Sequence, residues 1–256
     1  MAWSYVTIEK RPPIAIVRFD RKAKLNAFDQ PLVRELTEAA RTFQDDLETH
    51  AIVLAGAAEA FSAGADLTDA SSWQLAEKTD VQRRHRFYAG VRLCKTWEEL
   101  PQITIAAMER MAVGAGVAIA LACDWRVLGR SAFLYVPEVK VGLNLQWGAL
   151  PRLVTLVGPA RAKRITLLCD KMDAATAQAW GLVDEVADDG HTVEAALGLA
   201  RKTTEMPAGT VRLVKEAINA TAGALHRATS FADGDQSQLT GSFEAARTAR
   251  ERFRKR

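Results

Sequence analysis

The fold and the chemistry of this chain are concentrated in one stretch, Met111 to Leu150, which reads MAVGAGVAIALACDWRVLGRSAFLYVPEVKVGLNLQWGAL. A turn of small residues, Gly114-Ala115-Gly116, opens an apolar, helix-like run. Because the first N–H groups of a helix have no partner inside it, such a turn presents backbone donors to an anionic oxygen. Further along, Glu138 is a lone carboxylate in apolar surroundings, where burial raises a pKa and suits the group to proton transfer. Together these features favour chemistry on an enolate.

Both features also have a simpler interpretation. A Gly-x-Gly pair before a helix is usually a tight turn, and a single Glu in an apolar segment usually lies at the surface or in an ion pair. On these residues alone both interpretations stay open, and the rest of the chain decides between them.

Outside this stretch the chain alternates strands, small-residue loops and helices. The pattern occurs over 51–100, again over 103–123, and a third time from Trp125 onward. Such alternation predicts an α/β fold, although it does not distinguish a doubly wound sheet from a spiral of ββα turns. Only helical patterns follow residue 190, so we expect an α/β body over 1–190 and a helical region over 191–256. Helices with apolar positions that the body does not cover often pack on a neighbouring subunit.

Local signals predict the individual elements. A hairpin is expected around Pro12-Pro13, and a helix should start after Asp29, an N-cap residue followed by Pro31. Residues 68–80 are polar and predict a loop. Short apolar strands are expected at 51–55 and 103–107, and a further strand at 182–186. Later helices are expected over 81–100, 147–157, 160–168, 174–180, 191–205, 208–220 and 222–253, and Asp173 is the expected N-cap of the one over 174–180.

Composition excludes several classes of protein. The chain has 256 residues, a formal net charge of +3 and 48% hydrophobic residues, which is unlike a nucleic-acid-binding protein and sufficient for a large core. No apolar run approaches the length that spans a membrane. The three cysteines have no paired spacing, which indicates buried thiols in a reducing compartment rather than disulfides or a metal site. We therefore expect a cytoplasmic protein without a metal.

Five segments together resemble the crotonase superfamily of enoyl-CoA hydratases and isomerases, over nearly the whole chain. They are Lys24-Leu-Asn-Ala27, Phe61-Ser-Ala-Gly-Ala-Asp-Leu67, Gly114-Ala-Gly116 with Ala122-Cys-Asp124, Pro137-Glu138 with Gly142, and Ala179-Trp-Gly-Leu-Val-Asp-Glu-Val186. The resemblance implies a crotonase-like spiral of ββα units with a C-terminal helical oligomerisation region, and a homotrimer or hexamer. It also implies an acyl-CoA substrate, with coenzyme A as part of that substrate and no other cofactor.

The resemblance also assigns roles to residues. The backbone N–H groups of Ala65 and Ala115, next to Gly114, would bind the thioester oxygen, and Glu138 would be the acid/base. The path of the CoA nucleotide and pantetheine would be lined by Lys24, Leu25, Ala27, Ala63, Asp66 and Leu67. For Lys24 an ordinary exposed lysine, and for Asp66 a turn residue, are the alternatives.

The chain departs from members of the superfamily at two positions. The first of the two glutamates of its hydratases falls on Ala118, so only Glu138 remains. Gln146 lies where dienoyl-CoA isomerases place a second acid, and an amide does not exchange protons at neutral pH. Trp147, beside it, either walls the acyl pocket or packs a helix.

With a single carboxylate, two reactions remain open: an allylic proton shift that isomerises an enoyl-CoA, or hydration by Glu138 alone. The bulk of Trp147 motivates a third alternative, a lyase or dehydratase of an aromatic or branched 3-hydroxyacyl-CoA. The missing glutamate motivates a fourth, a non-catalytic acyl-CoA-binding protein.

Overall fold

The structure, a computed structural model, describes residues 3–69 and 77–254. Its strands are β1 (Val6–Arg11), β2 (Ile14–Phe19), β3 (Ala51–Ala55), β4 (Ile103–Met108), β5 (Met111–Val113), β6 (Trp125–Gly129), β7 (Phe133–Tyr135), β8 (Met172–Asp173) and β9 (Glu185–Ala187). Its α-helices are α1 (Gln30–Arg41), α2 (Asp80–Phe87), α3 (Ala89–Glu98), α4 (Ala115–Leu121), α5 (Ala149–Leu168), α6 (Ala174–Ala179), α7 (Thr192–Thr204), α8 (Ala208–Ala222), α9 (His226–Ser230), α10 (Asp233–Ser242) and α11 (Glu244–Arg254). Lys24–Asn26 and Glu138–Val141 form short 3-10 turns.

The strands form two sheets that the chain visits alternately. The larger has the order β1-β2-β3-β4-β6-β9 and is parallel except for the β1–β2 hairpin. The smaller has the order β5-β7-β8, and an isolated parallel bridge from Ser62 to Ala112 extends it. The chain passes from β4 to β5 and then into α4, and likewise from β6 to β7 before α5. This is a spiral of ββα turns, which settles the alternative that the sequence left open.

Helices cover both faces of the larger sheet. Every residue of β3 and β4 is buried, as expected for parallel strands enclosed on both sides. Trp97 of α3 is fully buried in the core on one face, while Ala196 and Ala200 of α7 are fully buried against the other. Although α7 lies beyond residue 190, it thus belongs to the packing of the sheet. The domain boundary near 190 stays a prediction.

Several predicted elements are found with their expected ends. Asp29 accepts a hydrogen bond from the Leu32 backbone N–H and caps α1, and Asp173 caps α6 in the same way. The hairpin around Pro12-Pro13 is present. The three cysteines are buried free thiols. Short-range signals of this kind are sufficient because each cap or turn is made within a few residues.

The structure corrects five predicted elements. The helix expected over 81–100 is two helices that meet at Tyr88, and the one expected over 222–253 is three, α9 to α11. The helices expected on either side of Gly158 form one kinked helix, α5. The strand expected at 182–186 is β9, shifted towards its C-terminal end. Of the loop expected over 68–80, residues 70–76 lie outside the described residues.

The C-terminal helices pack on the body of their own chain. The Asp233 carboxylate accepts a hydrogen bond of 2.6 Å from the Gly148 N–H, and the Tyr88 hydroxyl donates to the Phe231 carbonyl. Leu213 and Ile218 on α8 remain largely exposed. The predicted trimer or hexamer stays a prediction. Across the described ranges, the helices are all too short or too polar to cross a bilayer.

Candidate active site

The small-residue loop over 61–67 offers a backbone N–H donor at Ala65. Phe28 pairs with this loop on both sides of Ala65: its N–H donates to the Gly64 carbonyl at 2.7 Å, and its carbonyl accepts from the Asp66 N–H at 2.8 Å. In such a parallel bridge the N–H of the middle residue points away from the partner. The Ala65 N–H therefore has no acceptor among the described residues, and Ala65 lines a cavity.

The small-residue turn Gly114-Ala115-Gly116 offers another backbone N–H donor, at Ala115. The Gly114 N–H binds the Tyr135 carbonyl at 2.8 Å, and Gly114 has φ +46°, a region that disfavours residues with a Cβ. This conformation starts α4 at Ala115, whose N–H also lacks an acceptor within 3–69 and 77–254. Ala115 and Ala65 line the same cavity, as the resemblance implies for the two oxyanion donors.

Glu138 brings a carboxyl group to the same cavity. It follows Pro137 in a 3-10 turn that ends at Gly142. A Cβ on Gly114 would lie 2.4 Å from the Glu138 Oε1, so the absence of a side chain at 114 makes room for the carboxyl group. The other oxygen, Oε2, is buried and accepts no hydrogen bond from any residue that the structure describes. Burial raises the pKa of Glu138 to about 7, so the group exchanges its proton near neutrality.

Asp66 lines the cavity as well, but in a different state. Its Oδ2 binds Arg21 Nη1 at 2.8 Å and Lys24 Nζ at 3.0 Å, and its Oδ1 accepts from the Thr68 N–H and hydroxyl. These hydrogen bonds and cations overcome the cost of burial and hold the pKa of Asp66 well below its usual range. Asp66 thus stays ionised, whereas Glu138 titrates.

The cavity has a volume of about 130 Å³. It lies between Glu138 and the position at which a second glutamate is expected and missing. Ala118, the position on which the resemblance predicts the first glutamate of the hydratases to fall, lines the cavity and contributes only a methyl group. Gln146 and Trp147 also line it. The Gln146 Nε2 donates to Asn144 Oδ1 at 2.9 Å, which directs its amide oxygen away from that partner.

Trp147 forms a wall of the cavity in an unusual backbone conformation. It has φ +65°, and its indole lies over Gly90, where a Cβ would approach ring atoms to 1.9 Å. The Phe28 ring meets the indole edge-on at 5.5 Å. The wall is therefore fixed by close packing from α3 on one side and Phe28 on the other.

Two charged side chains hold the Trp147–Gly148 backbone. Arg152 Nη1 donates to the Trp147 carbonyl at 3.0 Å, while its other nitrogens bind Glu98 at 2.6 and 2.7 Å. Asp233, from α10, accepts from the Gly148 N–H. The sequence analysis did not find these residues, because they are distant in sequence and carry no motif.

Of the six residues predicted to line the CoA path, Asp66 lines the cavity and the other five do not. Lys24 and Leu25 are half exposed, in a left-handed run that continues to Asn26. Buried Asn26 fixes this run by donating to the Phe19 and Phe61 carbonyls at 2.9 and 3.1 Å. The remaining residues of this group stay predictions; they are Ala27, Ala63 and Leu67. Asn26 and Arg21 were missed; Asn is common at left-handed positions, which was the available signal.

No group of three or more metal-binding side chains occurs in the part of the chain that the structure describes. The groups that face the small cavity are instead two backbone N–H donors and one carboxyl group with a pKa of about 7. A ββα spiral that carries such a site defines a crotonase-like protein.

Comparisons with known proteins agree with that class. The family model for enoyl-CoA hydratase/isomerase matches residues 9–254. The chain belongs to the enoyl-CoA hydratase/isomerase family and is an enzyme of that family.

Two curated relatives illustrate the range of the family. A probable enoyl-CoA hydratase from Mycobacterium bovis is 31% identical over 222 residues, covering 86% of this chain and 82% of the relative. A 1,2-epoxyphenylacetyl-CoA isomerase from Escherichia coli is 30% identical over 207 residues, covering 80% of this chain and 78% of the relative.

Solved structures agree with the fold. An enoyl-CoA hydratase from Bacillus anthracis has a TM-score of 0.79 at 29% identity, over 93% of this chain and 90% of that one. Another, from Mycobacterium avium subsp. paratuberculosis, has a TM-score of 0.88 at 24% identity, over 99% and 97%. The latter likeness concerns the fold alone.

Proposed function

We propose that the enzyme moves the double bond of an enoyl-CoA thioester by an allylic proton shift, with Glu138 as its sole acid/base. The observation that carries this proposal is the pairing of two unoccupied backbone donors with one proton-exchanging carboxyl group in the same cavity. Family membership supports an acyl-CoA substrate, as the names of both curated relatives do for those proteins.

The Ala65 and Ala115 N–H groups would hold the thioester oxygen. Removal of the α-proton turns that oxygen into an enolate, so donors aimed at it are stronger partners in the transition state than in the ground state. A single donor of this kind supplies roughly 3 kcal/mol of transition-state stabilisation. Neither donor depends on a side chain, so alanine is suitable at both positions.

Glu138 would transfer the proton. Its carboxylate takes a proton from the α-carbon of a β,γ-unsaturated thioester, and the electron pair spreads over the dienolate to the thioester oxygen. The protonated carboxyl group then returns that proton to the γ-carbon, and the double bond becomes α,β. The substrate gains and loses no atoms overall, and Glu138 ends in its starting ionisation state, so one carboxyl group completes the cycle. A pKa near 7 suits both halves of this exchange.

Hydration of an α,β-enoyl-CoA is the second candidate, favoured by the polar side chain of Gln146 in the same cavity. Its amide oxygen is able to orient a water molecule for attack on the β-carbon. Glu138 would then deliver one proton to the α-carbon and receive the other from the water. This demands two tasks of one group, which is why we rank it second.

The Trp147 wall keeps an aromatic or branched acyl group as a further alternative for the substrate. The name of the Escherichia coli relative shows that this family includes a member whose named substrate carries an aromatic acyl group. We also propose, from the exposed apolar residues of α8, that the C-terminal helical region forms subunit contacts in a homotrimer or hexamer, and we expect a cytoplasmic location.

A panel of β,γ-enoyl-, α,β-enoyl- and 3-hydroxyacyl-CoA thioesters, followed by absorbance and mass, tests the proposal. A shifted double bond with unchanged mass supports isomerisation. A gain or loss of one water supports the second candidate and overturns the first, and cleavage of the acyl chain indicates a lyase. Binding without turnover across the panel would indicate a non-catalytic acyl-CoA-binding protein.

A further inference from the structure

One peptide bond in the wall of the cavity is held at both of its polar atoms by charged side chains. The Trp147 carbonyl oxygen accepts a hydrogen bond of 3.0 Å from Arg152 Nη1, and the Gly148 N–H donates to Asp233 Oδ2 at 2.6 Å. Both atoms belong to the peptide bond that joins Trp147 to Gly148, and they point in opposite directions because the bond is trans. A cation therefore faces the oxygen, and an anion faces the N–H.

The two charges select one orientation of this peptide plane. A half-turn of the plane would direct the N–H at the Arg152 guanidinium and the carbonyl oxygen at the Asp233 carboxylate. Two hydrogen bonds to charged groups, each roughly twice as strong as a neutral one, would then become two repulsive contacts. The plane is thus fixed by attraction in the observed orientation and by repulsion in the reversed one.

Trp147 depends on this support, because its backbone conformation is unfavourable by itself. It has φ +65°, and Gly148 follows with φ +67°. A bulky residue at positive φ is an outlier that persists only where its surroundings hold it. Since the peptide plane adjoins the Trp147 Cα, its orientation sets the direction in which the indole leaves the backbone.

The supporting side chains are themselves fixed. Glu98 binds Arg152 Nε and Nη2 at 2.7 and 2.6 Å, which leaves Nη1 aimed at the Trp147 carbonyl. The Arg152 side chain is 8% exposed, and Asp233 is buried as well. A Cβ on Gly148 would lie 2.8 Å from Arg152 Nη1, so the absence of a side chain at 148 permits this close approach. Arg152 and Asp233 are therefore rigid supports of the wall.

We infer that Arg152 and Asp233 are positioning residues that determine the size of the acyl group the enzyme accepts, by holding the Trp147 indole as a wall of the cavity. The inference rests on the proposed function for the placement of the acyl group in this cavity. A volume of about 130 Å³ matches a short acyl group, since a group of water size occupies roughly 30 Å³. Release of the peptide plane frees the indole and makes room for a longer one.

Binding of saturated acyl-CoA thioesters tests this inference without turnover. Butyryl-CoA and octanoyl-CoA differ only by four methylene groups, so the ratio of their dissociation constants, measured by calorimetry, reports the room in the cavity. We expect the wild-type enzyme to favour butyryl-CoA. Trp147→Ala should shift the ratio towards octanoyl-CoA at least about tenfold, because the longer chain then buries methylene groups that the wall excluded. An unshifted ratio would overturn the inference.

Variants of the two supports locate the effect. Arg152→Met and Asp233→Ala should each shift the ratio in the same direction, by at least about threefold. Asp233→Asn should keep most of the wild-type ratio, because its amide oxygen still accepts from the Gly148 N–H. A ratio that neither Arg152→Met nor Asp233→Ala shifts would refute the assignment.

A double-mutant cycle distinguishes positioning from a general structural role. If the supports act through the indole, Asp233→Ala should cause no further shift when it is added to Trp147→Ala. A shift of the same size with and without Trp147 would show that Asp233 acts on the cavity by another route, and would refute the inference.

Arg126→Met is the matched control. Arg126 is also a buried arginine that binds a carboxylate and a backbone carbonyl, those of Asp184 at 2.8 Å and Leu182 at 2.9 Å, but it does not line the cavity. The variant should lose stability and leave the ratio unchanged; a shift equal to that of Arg152→Met would show general loosening and refute the assignment. If Arg152→Met does not fold, as judged by circular dichroism and melting, the Asp233 variants decide.

Turnover of the enoyl-CoA panel, measured in parallel, separates this inference from the proposed function. A ratio that shifts as expected in a protein that converts no thioester would refute the proposed reaction and leave this inference standing. Turnover with a ratio that no variant shifts would do the reverse. If neither saturated thioester binds, both are overturned.

Discussion

Asp66 and Glu138 line one cavity, yet their surroundings are opposite. The region of Asp66 supplies two cations and two hydrogen bonds from Thr68, and it keeps the carboxylate ionised. The region of Glu138 supplies apolar groups and a glycine, and one carboxyl oxygen has no hydrogen-bond partner within 3–69 and 77–254. The difference shows that position in a cavity does not by itself raise the pKa of a carboxyl group towards neutrality; burial without compensating partners does.

The largest expected effect comes from removing the titrating group. Glu138→Gln keeps the shape of the side chain but exchanges no proton, so kcat should fall by roughly 10²–10⁴-fold, the usual contribution of general acid–base catalysis. Affinity for a saturated acyl-CoA should change little, and the measurement is steady-state kinetics on the best substrate of the panel. Unchanged turnover would show that Glu138 is not the acid/base.

A second substitution changes the surroundings of Glu138 and leaves the glutamate itself in place. Gly114→Ala places a Cβ 2.4 Å from Oε1 and puts a side chain at φ +46°. The carboxyl group must move, and a displacement of about 1 Å can cost on the order of 10²-fold in rate. Gly198→Ala, at a position where a Cβ meets nothing within 4 Å, is the control. Equal kinetics for both variants would contradict the contact.

The pH dependence of activity shows which form of Glu138 starts the reaction. If Glu138 acts first as a base, as isomerisation requires, kcat/KM rises with pH and levels off above about 7, where the group is ionised. Below that value kcat/KM should fall about tenfold per pH unit. A profile that falls with rising pH instead would favour the protonated form, as hydration needs. A profile without an inflection near pH 7 would contradict the conclusion that Glu138, unlike Asp66, titrates near neutrality.

The smallest effect on kcat is expected from Asp66→Asn. Asp66 does not exchange protons, so kcat should be nearly unchanged. Loss of a buried, charge-assisted partner of Arg21 should instead reduce the free energy of unfolding by about 1–3 kcal/mol, measured by urea denaturation at pH 7.

The direction in which the stability contribution of Asp66 changes with pH follows from the lowered pKa of this residue. Its contribution to stability is present above the unfolded-state value of 3.8 and is lost as the pH falls through the folded-state value. The wild-type advantage over the Asn variant should therefore shrink in acid. A loss of kcat as large as that of Glu138→Gln would show that the two carboxylates are not functionally distinct.

The sequence predicted the elements and site residues whose signals are local. The caps at Asp29 and Asp173, the fully apolar strands β3 and β4, and the order of the small-residue loops are all visible in short windows. The likeness to the family then predicted that Ala65, Ala115 and Glu138 meet, and the structure places all three around one cavity.

What the sequence did not predict depends on contacts between distant segments. Strands β5 and β7 have three residues each, too short for a periodic signal, and exist because they pair with each other. Arg86 and Ser237 look like ordinary surface residues in the sequence, and they line the cavity only because α2 and α10 pack together. Gly234 of α10 packs closely against the ring of Tyr88, the residue at which α2 and α3 meet, and this contact too joins segments distant in sequence.

The hydrogen bond from Gly148 to Asp233 has a consequence for the modularity of this enzyme. The wall at Trp147 is held by a residue that lies 85 positions later in the chain. The shape of the cavity is thus not a property that residues 1–190 carry by themselves into a chimaera. A recombinant that exchanges the C-terminal helices between two relatives would inherit the Glu138 segment of one parent and a cavity shape that belongs to neither.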